Sequence, residues 1–163
     1  MRHLPLAVKM RPKHIDEIIG QTHLVGEGKI IRRMVEANKI ASMILFGPPG
    51  TGKTSLAYAI AQSLSLPVRK LNAVIDKKKD LEIVVEEAKM SGQVVLILDE
   101  VHRLDKGKQD FLLPHVEENL ITLIGCTTSN PYHAINPAVR SRCHLFELKP
   151  LTIEQIKEAI VHT

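Results

Sequence analysis

The sequence predicts an α/β fold, a mainly parallel five-stranded sheet with helices on its faces. Three observations carry that expectation. Short aliphatic runs alternate along the chain with longer segments of helical pattern. The run Val94–Leu98 is apolar at every position, as a strand covered on both faces has to be. The first such run ends in a glycine-rich turn that leads straight into a helix without breakers.

Taken in order, Ser42–Phe46 is a short apolar run before a Gly/Pro cluster and reads as the first buried strand. Lys53–Leu64 is rich in Ala and Leu and reads as a helix that Pro67 closes off. Val68–Asn72 reads as the second strand. Leu81–Met90 carries apolar residues at 81, 84, 85 and 88, one helical face, and Gly92 ends it. Just before it, Lys77–Lys79 is the one run of charge. With Asp80 and Glu82 behind it, this reads as a solvated helix start. After the third strand, Val94–Leu98, Gln109–Glu118 reads as a helix that Pro114 either kinks or helps to end. Leu120–Cys126 and His144–Leu148 read as the fourth and fifth strands. Thr152–His162 opens an amphipathic helix with Thr152 as its cap.

The 163 residues suffice for one domain with a sizeable core. With 44% hydrophobic and 25% charged residues, the chain has the balance of a folded soluble protein rather than a disordered tail. No apolar run approaches the roughly 18 residues of a membrane helix, so no membrane partner is expected. The N-terminus has no apolar secretory core. Two cysteines, Cys126 and Cys143, make no disulfide framework, which points to a reducing cytoplasm. No clustered Cys/His spacing supports zinc, and both read as small buried groups. A net charge of +4 admits a nucleic-acid partner without requiring one. The five Phe and Tyr residues are scattered, so no base-stacking platform is legible and any DNA contact is expected to be electrostatic.

Chemistry concentrates in two segments. Gly47 to Thr54 reads Gly-Pro-Pro-Gly-Thr-Gly-Lys-Thr and fits the phosphate-binding loop G-x-x-x-x-G-K-[ST]. Its glycines let main-chain N–H groups turn inward, and the helix that follows aims its positive end at the same phosphates. Lys53 would neutralise β/γ charge and the Thr54 hydroxyl would hold Mg²⁺. In the second segment, Val95–Leu98 ends in Asp99 and Glu100, an apolar strand delivering two acids. Asp99 would order Mg²⁺ and its waters, and Glu100 would polarise an attacking water as general base. No guanine-reading N-K-x-D follows a strand, which favours ATP. Asp99-Glu100-Val101-His102 also matches the D-E-x-H of helicases, but their second domain has no room in the remaining residues. His102 either orients this region or is simply a satisfied histidine. Two other readings stay open, a P-loop phosphotransferase and a nucleotide-switched adaptor without turnover.

These motifs fall in a recognisable order: Arg11-Pro12, Ile18–Gln21, the loop from Gly47, Leu98 to Glu117, Gly125 to Pro131, and Ser141-Arg142-Cys143. The chain resembles the AAA+ ATPases of the clamp-loader group and, within it, the replication-associated recombination protein A family, over about residues 4 to 162. The resemblance implies a three-layer P-loop NTPase over residues 1–150, with residues 151–163 as the first helix of a lid. It implies that Arg11, Pro12 and Ile18–Gln21 (Ile19, Gly20 and Gln21 among them) wrap the adenine. Pro49, Gly50, Thr51, Gly52, Lys53, Thr54 and Ser55 would hold the phosphates. Thr128 takes the position that senses the γ-phosphate, with Thr127 and Asn130 as alternatives. Arg142 would reach into a neighbouring subunit's site, whereas Arg140 stands where relatives commonly carry an apolar residue. The same likeness implies ATP and ADP as ligands, Mg²⁺ as cofactor, and DNA as a partner, single-stranded or at fork junctions. It further implies a homo-oligomer, replication proteins as further partners, and a nucleoid-associated place in the cytoplasm. Because such proteins carry a full lid, these 163 residues alone are expected to bind nucleotide weakly and turn it over poorly.

Overall fold

The computed structural model describes residues 14–161. Five parallel strands, β1 (Met43–Phe46), β2 (Val68–Asn72), β3 (Val94–Asp99), β4 (Ile121–Thr127) and β5 (His144–Glu147), form one sheet in the order β2-β3-β4-β1-β5. The helices are α1 (Thr22–Val25), α2 (Ile30–Glu36), α3 (Lys53–Gln62), α4 (Lys78–Ser91), α5 (Lys106–Glu117), α6 (Pro131–Ala134), α7 (Pro137–Arg140) and α8 (Ile153–Val161), with 3₁₀ turns at Ile15–Glu17 and Val101–Arg103. None of the described helices is long and apolar enough to cross a membrane.

Successive side chains of a strand point to opposite faces, and here each face meets its own helical layer. Val94, Leu96 and Leu98 of β3 pack into a core with Leu81, Val84, Val85 and Ala88 of α4 and Leu112 and Val116 of α5. Val95 and Ile97 pack the other way, into a core with Leu56, Ala57, Ile60 and Ala61 of α3 and Ile31 of α2. β4 follows the same parity, Ile121 and Leu123 on the first side, Ile124 and Cys126 on the second. The result is a three-layer α/β sandwich.

Several sequence-based boundaries move for identifiable reasons. α5 begins at Lys106 rather than Gln109, because Asp105 caps it by accepting a hydrogen bond from the Lys108 N–H at 2.8 Å. Pro114 does not break this helix; it sits in the final turn, and the Pro114 carbonyl accepts the closing bond from the Glu118 N–H at 3.1 Å. β4 extends one residue further than expected, which places Thr127 within the ladder opposite Phe46. α6 and α7 were not foreseen. Each starts at an Asn-Pro pair whose Asn side chain accepts from the N–H two residues on, Tyr132 at 2.9 Å and Ala138 at 2.8 Å. Asn130 is therefore a helix cap. At the other end, Thr152 and Gln155 form a reciprocal capping box at the start of α8, with bonds of 3.1 and 2.8 Å.

The segment before β1 is fastened to the sheet by Gln21, which is buried and in the left-handed region at φ 57°. Its Nε2 donates to the carbonyls of Thr51 (3.2 Å) and Lys149 (2.8 Å), and its Oε1 accepts from the Lys149 N–H (2.8 Å). One amide thus ties the N-terminal segment to the loop after β1 and to the exit of β5. Gln21→Leu strands these main-chain groups in a dry site. The expected loss is about 1–3 kcal/mol, or roughly 5 °C in Tm by scanning calorimetry. An unchanged Tm would show that the staple contributes nothing.

Candidate functional site

All five strands run the same way, so their C-terminal ends share one edge, and loops there form a crevice where the strand order reverses beside β1. The glycine-rich loop leaves β1 at that point. Gly47 has φ 153° and donates to the Thr127 carbonyl at 3.3 Å, and a Cβ on it would stand 2.4 Å from the Leu148 carbonyl oxygen. No other residue fits between the exits of β4 and β5. Gly50 and Gly52 also have positive φ, 78° and 87°, and Gly52 starts α3 with no side chain capping it. The first N–H groups of α3 are therefore left for an anion. Thr51 is buried and closes the loop by donating to the Pro48 carbonyl at 2.9 Å, while Pro49 and Gly50 stay exposed.

Lys53 folds back over this loop. Its ammonium donates to the carbonyls of Gly47 (2.9 Å) and Pro48 (2.8 Å) and to the Thr51 hydroxyl (3.3 Å). Burial pulls its pKa below the ordinary lysine range, and the nearby Glu100 and Asp99 charges oppose that shift. Below the loop lies a cleft of about 190 Å³, smaller than a typical pocket of about 300 Å³ or more, so it suits the phosphate end of a nucleotide and not the whole molecule. Lys53, Thr54, Asn72, Asp99, Glu100, Thr127 and Thr128 line it together with the buried Cys126.

The parity of β3 sorts the acids. Asp99 continues the face of Val95 and Ile97 and so points toward α3, where the Thr54 hydroxyl donates to its Oδ1 at 3.4 Å. Its other oxygen, Oδ2, holds the Lys70 ammonium at 3.1 Å. Among the described residues no three His, Cys, Asp or Glu side chains cluster as a metal cage. A hydroxyl and a carboxylate beside a phosphate loop fit Mg²⁺, which takes few protein oxygens and completes its shell with water and phosphate. Glu100 has φ 54° and starts the 3₁₀ turn, with His102 Nε2 3.5 Å from its Oε2.

Other sequence-predicted residues fall as follows. Thr128 is exposed at the mouth of the cleft, whereas Thr127 is buried and bonded to His102 at 2.7 Å. Ser55 is half-buried one residue into α3 from Thr54. Ile19 and Gly20 lie in the N-terminal segment, where a Cβ on Gly20 would meet Leu151 at 2.7 Å. The Gln21 side-chain amide is committed to main chain as a staple, which leaves its backbone as the part that can face a base. Arg11 and Pro12 lie outside the described residues. Arg140 donates to the Tyr132 carbonyl at 2.5 Å and lies over the Tyr132 ring, which makes it a clamp on α6. Arg142 is not brought to the cleft. It precedes β5, whose first residue His144 pairs with Met43, so it lies at the edge of the sheet opposite Gly47. There Glu117 holds its guanidinium, and its Nη1 donates to the Ala138 carbonyl at 2.9 Å. Sequence reasoning missed Lys70 and Asn72. Register alone reveals them, because Asn72 pairs with Asp99 and Lys70 lies two residues back on the same face.

Residues 43–151 match the family of ATPases associated with various cellular activities (AAA), and residues 2–74 match the TIP49 P-loop domain. The chain is 70% identical over 156 residues to the replication-associated recombination protein A of Bacillus subtilis, covering 96% of this chain and 37% of that protein. To the Escherichia coli protein of the same name it is 42% identical over 160 residues, 96% of this chain and 36% of that one. The chain thus spans little more than a third of the length of these curated relatives. Among solved structures, the RuvB Holliday junction branch migration motor of Thermotoga maritima superposes with a TM-score of 0.77 at 29% identity, over 94% of this chain and 53% of that one.

Cys126 lies under the cleft, and burial, reinforced by the Asp99 charge, pushes its thiol far above the ordinary range. Burial likewise pushes Cys143 up to about 12, against the pull of Arg142. Both raised values keep the thiols neutral at every pH below them, and only the thiolate reacts. Iodoacetamide at pH 8 should leave both cysteines unlabelled by mass spectrometry until denaturant is added. Rapid labelling of Cys126 in the folded protein would contradict this.

Proposed function

The chain belongs to the AAA family of ATPases, and from that premise we propose that it is the Mg²⁺-dependent, ATP-binding and ATP-hydrolysing core of a DNA replication and recombination factor. The observation that supports this most is the arrangement at the ends of β1 and β3. Lys53 at the end of the phosphate loop, the Thr54–Asp99 oxygen pair and the Glu100 carboxylate all line one cleft. A phosphate loop alone is common to binders and enzymes; a carboxylate one residue beyond the metal-facing acid adds a group that can take a proton from an attacking water.

In this reading the loop from Pro49 to Ser55 binds the β- and γ-phosphates through the N–H groups from Gly50 onward, together with the Lys53 ammonium. To do so, Lys53 exchanges its bonds to the Gly47 and Pro48 carbonyls for phosphate oxygens. Thr54 and Asp99 would hold Mg²⁺, which would supply charge neutralisation to the phosphates. Glu100 accepts a proton from the attacking water, and Thr128, exposed at the cleft mouth, hydrogen-bonds to the water or the γ-phosphate. Arg142, at the far edge of the sheet, serves the site of a second copy, so the active form is an oligomer. Gly20 lies beside Leu151 and beside Gln155 of α8, and in this reading a base rests there, next to Ile19 and under a lid beginning at residue 151. The likeness to proteins named for replication-associated recombination and for branch migration supports DNA, single-stranded or at forks and junctions, as the partner in the cytoplasm.

Glu100→Gln should retain ATP binding by titration while hydrolysis falls at least about 100-fold, the scale of a lost general base. Arg142→Ala should be inactive by the same assay, yet mixing the two inactive variants should restore part of the activity. In mixed oligomers an intact Arg142 then meets an intact Glu100. Unchanged turnover in Glu100→Gln would remove it as the base, and no recovery on mixing would exclude action between subunits.

A further inference from the structure

The mechanism leaves unused the groups packed behind Glu100. This residue begins a tight 3₁₀ turn in the left-handed region, closed by bonds from the Arg103 N–H to the Glu100 carbonyl (2.8 Å) and from the Leu104 N–H to the Val101 carbonyl (3.2 Å). A turn of this kind leaves the carboxylate free to swing unless something docks it. Val101 does the docking. It is buried against β4 at Gly125, where a Cβ would meet the Val101 Cγ1, Cβ and Cγ2 atoms at 3.0, 3.1 and 3.1 Å. The absence of a side chain at residue 125 lets the turn sit flush on the strand.

That seat brings the next residue of the turn, His102, to the next residue on the same face of β4, Thr127. The Thr127 hydroxyl and His102 Nδ1 are 2.7 Å apart, and the hydroxyl also accepts from the Ser129 N–H at 3.0 Å. The opposite ring nitrogen, Nε2, stands 3.5 Å from Glu100 Oε2. The His102 side chain is 15% exposed and that of Glu100 43%, so a wet carboxylate leans on a mostly enclosed ring. Among the described residues His102 is the one ion-pair partner within 4.0 Å of the Glu100 carboxylate.

We infer that His102 is a positioning residue that fixes the rotamer of Glu100 and couples it, through Thr127 and Ser129, to the end of β4 that carries Thr128. The imidazole bridges two parts of the cleft that the backbone leaves separate, the turn after β3 and the exit of β4. A contact that shifts Thr128 and Ser129 therefore reaches the base through one hydroxyl and one ring. The inference rests on the reading of Glu100 as general base. It assigns His102 to the rate of the water attack and leaves nucleotide binding to the loop and α3.

The test uses the assembled protein, with ATP affinity measured by titration beside kcat and KM. His102→Phe keeps the packing of the ring and loses both nitrogens; Thr127→Val keeps its shape and loses the hydroxyl. Each should lower kcat on the order of ten- to a hundredfold, the scale of a misplaced catalytic group, with ATP affinity within about twofold of wild type. The double variant should be no slower than the worse single, and Thr127→Ser should recover the rate. In a Glu100→Gln background, His102→Phe should change nothing further. Wild-type kcat in His102→Phe, while Glu100→Gln abolishes turnover, would overturn the positioning role and leave the base intact. A fall in ATP affinity matching the fall in kcat would overturn it as well, since it would make His102 part of the general packing of the site.

Discussion

The site depends on one constraint, the alternation of side chains along a strand that is buried on both faces. β3 has five consecutive buried residues, and each must enter one helical layer or the other. Even positions enter the layer of α4 and α5, odd positions the layer of α3. The parity does not stop when the apolar residues do. It carries Asp99 to the α3 side, within reach of Thr54 at the first turn of the helix that follows the phosphate loop. On β4 the same rule sends Cys126 to the α3 side beneath Lys53 and sends Gly125 and Thr127 to the other, against Val101 and His102. A one-residue slip in either strand would exchange these sets and dismantle the cleft while leaving the sheet nominally intact.

Around that frame the loop geometry is set by exclusion. Gly47 passes between the exits of β4 and β5 with no room for a Cβ, and Gly125 leaves room for a turn. Gln21 then holds the N-terminal segment, the phosphate loop and the end of β5 in one cluster through a single buried amide. Lys53 meanwhile satisfies itself on loop carbonyls that stand where the phosphate loop curls. These are local bonds that phosphate oxygens can replace at little cost, because a charged acceptor makes the stronger bond.

Much of this was legible in the sequence, for physical reasons. Val94–Leu98 announces a doubly covered strand because no half-exposed strand tolerates five apolar residues in a row. The loop from Gly47 to Thr54 is legible because few sequences satisfy its glycine and lysine positions together, and Asp99-Glu100 follows from its place at a strand end. What stayed hidden was relational. Lys70 and Asn72 look like ordinary strand residues until the register of β2 on β3 sets them beside Asp99. Thr127 and Thr128 are equivalent in sequence, and only where β4 ends, one residue later than expected, decides that the first is buried and the second exposed. The staple made by the Gln21 amide is hidden as well, because its partners are main-chain groups 30 and 128 residues away, which leave no pattern to read. The short helices α6 and α7 are hard to see in the sequence, since an Asn-Pro pair that caps one turn of helix has the same local chemistry as a loop turn.

The central claim is that strand parity divides the labour at the end of β3, with Asp99 serving the metal and Glu100 the water. Calorimetric titration of ATP into Asp99→Asn, with and without Mg²⁺, tests it most directly. Metal-free binding should match wild type, and the gain in affinity that Mg²⁺ gives the wild-type protein should disappear. Equal loss of affinity with and without Mg²⁺ would contradict the account, for it would mean that Asp99 supports the phosphate loop as a whole and not the metal position.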